Sequence, residues 1–249
     1  MSVIILAHII GDFYLQTDKI AEKKKNSNMY LAIHCILYTI VVSIGLYILT
    51  GNRVEILKDA GLIFLSHGVA DLLKQKLCKK INKYEFRIFL LDQSVHIGSL
   101  FLIFCLMKQT QYLFHDCIVK GVNINQFVAV ATAILLCWKP AAIFISLVFK
   151  VIPKTCIYDK NCSEDISQNS ENEVEKIGYW IGILEREIIL LLGLMGQFGA
   201  IGFVLTAKSL ARFKQLEDKS FAEKYLIGTL LSAFIAIICI VLYRMVYCK

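Results

Sequence analysis

The chain has 249 residues, 57% of them hydrophobic, with a mean hydropathy of +0.62. That balance leaves too little polar surface for a soluble domain of this length. The formal charge of +7 gathers at the ends of apolar segments, where it anchors membrane topology, so the basic excess does not point to nucleic acid.

Apolar runs at residues 31–50, 88–107, 127–149 and 225–247 each reach the roughly 20 residues that a helix needs to cross a hydrocarbon core. With two prolines and few hairpin signals, the pattern predicts an all-α, polytopic integral membrane protein rather than a barrel. Seven or eight helices form the expected bundle. The first, residues 3–16, is short for a full span and is tilted or partly re-entrant; no basic residue precedes it, unlike a cleaved signal peptide. A basic stretch at 19–25 leads to a helix at 29–49, a polar turn at 51–55 and a helix at 59–77. A second basic block holds Lys74, Lys76, Lys79, Lys80, Lys83 and Arg87, and helices at 86–107 and 124–151 follow.

Residues 159–175 are polar and acidic and read as a disordered linker. The C-terminal third continues with a helix at 176–194, a tight turn near 193–199, a helix at 200–213, a polar loop at 214–224 and a last span to 247. The chain thus reads as two halves, 1–122 and 123–249, the second with a cytoplasmic linker at 152–175. The positive-inside rule puts both basic blocks in the cytoplasm, and the two helices between them keep that parity. Nine dispersed cysteines with no C-x-x-C pair, Cys156 and Cys162 being the closest two, read as reduced.

Three His/Asp pairs stand out: His8 and Asp12, His67 and Asp71, Asp92 and His96. Each is spaced i,i+4, one helical turn apart on one face, inside apolar sequence. Helices one and three run towards the cytoplasm and read His then Asp; helix four runs outward and reads Asp then His. The reversal puts all three histidines in a deeper layer and all three aspartates in a shallower one. At about 1.5 Å per residue, the aspartates lie about 5–10 Å from the nearest basic anchor and the histidines about 10–16 Å. His34 falls at a similar depth on helix two and is either a further ligand or a packing residue.

Each intramembrane aspartate costs about 2.5–3.5 kcal/mol at a helix centre, so three of them need compensation. A divalent transition metal supplies it, zinc first and manganese or iron next. The candidate ligands are His8, Asp12, His34, His67, Asp71, Asp92 and His96, with Asp12, Asp71 or Asp92 as ligand, orienting partner or base. Hydrogen-bonded pairs around a water-filled cavity are the structural alternative. Glu185, Arg186 and Glu187 interrupt another apolar run, and Lys208 and Arg212 share a helix face. Glu185, Arg186, Lys208 and Arg212 either contact a substrate headgroup or pair with one another as packing glue.

The run His8-x-x-x-Asp12-Phe13-x-Leu15-Gln16-Thr17-Asp18, with His67-x-x-x-Asp71-x-x-Lys74 and Asp92-Gln93-x-x-His96, resembles a family of bacterial and phage polytopic membrane proteins catalogued only as a domain of unknown function. The stretches at 181–186, 200–203, 207–213 and 226–232 look like its second half. More loosely, the His/Asp helices are similar to predicted membrane-bound metal-dependent hydrolases. The resemblance implies a bacterial inner-membrane, multi-pass location. The expected activity is that of a metal-dependent hydrolase near the cytoplasmic leaflet, acting on a lipid or lipid-linked substrate. The competing class is a proton- or divalent-cation-coupled transporter or channel that uses the same residues; a metal-stabilised scaffold without turnover is a third.

Overall fold

A computed structural model describes residues 2–24, 27–50, 53–80, 84–106, 118–119, 122–152 and 168–247. Within them the chain forms α1 (Ser2–Ile9), a π turn (Ile10–Tyr14), α2 (Asp18–Lys23), α3 (Asn28–Thr50), α4 (Arg53–Lys80) and α5 (Glu85–Leu106). A two-residue ladder, β1 (Ile118–Val119) against β2 (Val122–Asn123), precedes α6 (Ile124–Val151). Then come α7 (Gln168–Leu194), α8 (Phe198–Ala211), a 3-10 turn (Phe213–Glu217) and α9 (Lys219–Tyr247). The chain divides into two compact units, Met1–Leu135 and Leu136–Lys249, with α6 running through the division.

The all-α architecture follows the apolar runs. Among the described residues α3 (Asn28–Ile48), α5, α6 and α9 are long and apolar enough to cross a membrane, which makes this a membrane protein by length and composition. The segments at Ser2–Tyr14 and Phe198–Ala211 are shorter apolar helices. In α4 and α7 the charged residues that build the polar sites described below dilute the apolar sequence.

Four boundaries differ from the sequence reading. α4 starts at Arg53, inside the expected polar turn, because residues 53–58 are mostly good helix formers. The basic stretch after α1 is itself helical, opened by Thr17, whose hydroxyl accepts from the Ile20 amide at 3.4 Å. Residues 168–175 of the expected linker are the first turns of α7. Residues 153–167, with Cys156, Cys162 and the rest of that linker, lie outside the described residues. α9 starts at Lys219 rather than after residue 224, because Asp218 caps it: one carboxylate oxygen accepts from the Ser220 amide (2.7 Å), the Ser220 hydroxyl (2.8 Å) and the Phe221 amide (3.0 Å).

In the first unit α1 packs on α3, α3 on α4 and α4 on α5. Ile4, Ala7, Tyr38, Val42, Leu46, Ile63, Leu100 and Ile103 form one apolar core there. α1 lies close to α3: a side chain at Gly11 would meet the Tyr38 ring at 2.9 Å, and one at Gly45 would meet Ala7 at 3.0 Å. The π turn is closed by Leu15 N–H donating to the Ile10 carbonyl at 2.9 Å. The Tyr14 hydroxyl then donates to the Leu135 carbonyl of α6 at 2.8 Å.

In the second unit α7 packs on α8 and α9. α7 ends in a Schellman turn: Gln197 N–H bonds the Leu192 carbonyl at 2.8 Å and Gly196 N–H the Gly193 carbonyl at 3.1 Å, with Gly196 at φ +76°. Gly193 faces Ile240 of α9 so closely that any Cβ would overlap its side chain.

Gly193→Ala is therefore expected to destabilise the second unit by about 1–3 kcal/mol, the usual cost of overpacking. The same change in an Ile240→Ala background should cost much less, read as a double-mutant cycle in thermal melts. The three donors on Asp218 hold its carboxyl below the usual carboxylate range. A depressed acid stabilises the fold above its unfolded pKa, and that stability is lost as pH falls through the folded value. Exchange protection factors at Ser220 and Phe221 should accordingly drop in acid, and be low at every pH in Asp218→Ala.

Candidate metal centre

Four elements of the first unit each contribute polar side chains to one buried cluster. α1 with its π turn brings His8 and Asp12; α3 brings His34, Cys35 and Tyr38. α4 brings His67, Asp71 and Lys74, and α5 brings Asp92, Gln93 and His96. All four histidines are 2% exposed or less, so water is not at hand to satisfy them. The order read from the sequence, histidines on one side and aspartates on the other, has a physical partner on each side. The His67 ring stacks on Tyr38 at 3.6 Å and meets His96 at 4.3 Å and His34 at 5.1 Å, next to the apolar core. The aspartates meet lysines: Lys24 donates to Asp71 at 3.1 Å and Lys74 to Asp92 at 2.6 Å.

His34 is the centre of this arrangement. Its Nε2 lies 3.2 Å from His67 Nε2, 3.3 Å from Asp12 Oδ1 and 3.5 Å from Asp71 Oδ2, and His67 Nε2 is 3.7 Å from that same Asp71 oxygen. One proton on His34 can serve only one of three neighbours. Four donor atoms around a tetrahedral ion with bonds of about 2.0–2.2 Å stand about 3.3–3.6 Å apart. His34 Nε2 thus has three donor atoms within 3.5 Å, two of which, His67 Nε2 and Asp71 Oδ2, stand 3.7 Å apart, so residues of this group can contribute ligands to a metal ion. Asp12, His34 and His67 offer donor atoms within 4.8 Å of one another; so do Cys35, His67 and Asp71, and so do Asp71, Asp92 and His96.

His8 stands apart from these groupings. Gln93 Nε2 donates to Asp12 Oδ2 at 2.9 Å and to Asp92 Oδ2 at 3.2 Å, so its Oε1 must accept, and His8 Nε2–H supplies it at 3.3 Å. That fixes a lone pair on His8 Nδ1, which takes the Tyr38 hydroxyl proton at 2.9 Å. With both ring nitrogens engaged, His8 orients Gln93 and Tyr38 rather than offering a ligand atom. The cause is the π turn. It widens the backbone between His8 and Asp12, so the two hold separate partners and Gln93 bridges them. The other two pairs, on regular helices, keep their i,i+4 contacts at 3.7 Å.

Several buried atoms have no hydrogen-bond partner among the described residues: His67 Nδ1, Asp71 Oδ1, Asp92 Oδ1 and His96 Nε2. His96 Nδ1–H donates to the Asp92 carbonyl at 2.7 Å, which leaves Nε2 as a bare lone pair. Three carboxylates face two ammonium groups, so one negative charge is left over.

Lys24, Tyr38 and Gln93 were not singled out by their sequence context alone. The available signals were modest: Tyr38 lies i,i+4 from His34, and Gln93 adjoins Asp92. Lys24 comes from the basic stretch read as an anchor; it also takes Gln16 Oε1 at 2.8 Å, and Gln75 holds its carbonyl at 3.0 Å.

The second unit pairs the remaining candidates with protein groups. Lys208 bridges Glu185 and the Thr229 hydroxyl. Arg186 is buried, donating from Nε to the Cys137 carbonyl (2.6 Å), from Nη1 to Ser232 Oγ (3.3 Å) and from Nη2 to the Trp138 carbonyl (3.5 Å). It braces α6 just before Pro140, whose missing N–H weakens that turn. Arg212 packs its guanidinium over Phe221. These contacts are those of packing glue. Cys137 and Cys239 are free thiols 3.8 Å apart.

Fold and site together define a helical membrane protein with a buried His/Asp centre. Residues 1–122 match the model of a family described as "Protein of unknown function (DUF3307)", a stretch that takes in every residue of that centre and stops before α6. The C-terminal stretches at 181–232 lie beyond the matched residues. No curated protein and no solved structure matches the chain.

Gln93→Leu should remove the bridge between His8 and Asp12 and cost about 1–3 kcal/mol through the donors and acceptors it strands. A thermal melt in detergent would show it, and Gln93→Glu, which puts a fourth carboxylate in the cluster, should be worse.

Proposed function

We propose that the centre binds a divalent transition ion and that the protein is a membrane-embedded, metal-dependent hydrolase. Zinc is the first choice for two imidazoles and two carboxylates, with manganese or iron next. The observation that carries the reading is that Asp12 Oδ1, His67 Nε2 and Asp71 Oδ2 all lie 3.2–3.5 Å from His34 Nε2. A bound ion would supply Lewis acidity and an activated water. The chain's own groups do the rest. The Tyr38–His8–Gln93 hydrogen bonds fix Asp12, and Lys24 fixes Asp71. Asp92, with one oxygen on Lys74 and the other without a hydrogen-bond partner among the described residues, remains to take a proton or hold a ligand. Lys74, 29% exposed against 11% for Lys24, is the more open of the two lysines and points to where the cluster meets its surroundings. A centre sunk in apolar helices, with its lysine side nearest the basic blocks, suits a lipid or lipid-linked substrate reached from the cytoplasmic leaflet of a bacterial inner membrane.

One observation favours a second reading. Tyr38, His8, Gln93, Asp12 and Asp92 form a continuous hydrogen-bonded chain ending at Lys74, as a proton path in a transporter or channel would.

Protein purified in detergent should carry stoichiometric zinc or manganese by elemental analysis. His34→Ala and His67→Ala should lose it, while His8→Phe keeps most of it. Release of headgroups from vesicles of bacterial lipid should fall about 10²–10⁴-fold in Asp92→Asn, the range of a lost acid–base group. Wild-type protein free of any transition metal would sink the reading. Proton or cation flux in vesicles, abolished by Asp92→Asn without any hydrolysis, would install the transporter instead.

A further inference from the structure

We infer that the centre holds a second divalent ion, bound by Asp71, Asp92 and His96, with Asp71 bridging the two. The inference rests on the reading of Asp12, His34, His67 and Asp71 as the first ion site.

Three observations point to it independently of that first site. Asp71, Asp92 and His96 bring donor atoms within 4.8 Å of one another. Each also carries a buried atom with no hydrogen-bond partner among the described residues: Asp71 Oδ1, Asp92 Oδ1 and His96 Nε2. His96 is locked in the tautomer a metal requires, since its Nδ1–H is committed to the Asp92 carbonyl at 2.7 Å and its Nε2 lone pair has no donor to meet. His96 Nε2, Asp71 Oδ1 and Asp92 Oδ1 are all buried acceptors without a donor, a costly state that a cation held by these three residues would relieve.

Asp71 belongs to both groupings. Its Oδ2 is taken up by His34, His67 and Lys24, and its Oδ1 is the one left over. A carboxylate split in this way is the usual bridge of paired sites, whose ions sit about 3.5–4 Å apart. The charge permits it. Three carboxylates and two lysines leave one negative charge, and two divalent ions turn that to three positive, which suits an anionic group such as a phosphoester. The ligand class is a first-row divalent ion that accepts nitrogen and oxygen donors, zinc or manganese.

The test uses full-length protein in detergent, stripped with chelator and reloaded with Mn²⁺ alone. Elemental analysis should give two equivalents in wild type and one in both His96→Gln and Asp92→Asn, each variant checked by thermal melt. The electron paramagnetic resonance of loaded wild type should show an exchange-coupled pair, replaced by an isolated six-line Mn²⁺ signal in His96→Gln. One equivalent in wild type, unchanged by His96→Gln, overturns the second site and leaves the first standing. Two equivalents that both survive in His96→Gln also overturn it, by placing the extra ion elsewhere. No bound Mn²⁺ in wild type removes both.

Discussion

Three carboxylates set into apolar helices make the first unit what it is. None can be left bare, and together their unfavourable burial would reach about 8–10 kcal/mol on insertion scales. The long-range polar contacts that join α1, α3, α4 and α5 answer that demand. Lys24 and Lys74 approach from one side, four imidazoles from the other, and Gln93 donates to two of the three acids at once. The apolar core of Ile4, Val42, Leu46, Ile63 and Leu100 then seals the histidine side. Tyr38 belongs to both, with its ring stacked on His67 and its hydroxyl on His8.

Much of this was legible in the chain itself. The apolar runs mark α3, α5, α6 and α9, and the reversed order of His and Asp on the outgoing helix anticipates one shared layer. Periodicity works at His67/Asp71 and Asp92/His96 because those stretches are regular helices, where residues four apart share a face. It fails at His8/Asp12 because the backbone there is not α-helical. A π turn adds a residue to one turn, and no pattern of apolar residues announces it. Hence His8, expected as a ligand, became an orienting group, and His34, the weaker candidate, moved to the middle.

Long-range partners were illegible for a different reason. Gln93 bridges to His8 and Asp12, and Tyr38 bonds His8, through partners 30 to 85 residues away. Lys24 looked like a topology anchor because basic residues at membrane edges usually are. In the second unit the sequence did not show which acceptors stand near the candidate residues. Arg186 meets two backbone carbonyls of α6, and Lys208 meets Glu185 and Thr229.

The π turn at Ile10–Tyr14 also sets which changes the segment can absorb. A helical residue advances about 100° around its axis, so the extra residue acts as a phase shift between the part of the chain that carries His8 and the part that carries Tyr14. Side chains such as Ile10 can vary in size without disturbing that phase. The number of residues cannot: removing Ile10 or Gly11 would take out the extra residue, turn Asp12 away from His34 and pull Tyr14 off Leu135. The segment therefore behaves as a counted spacer, in which length carries more information than identity.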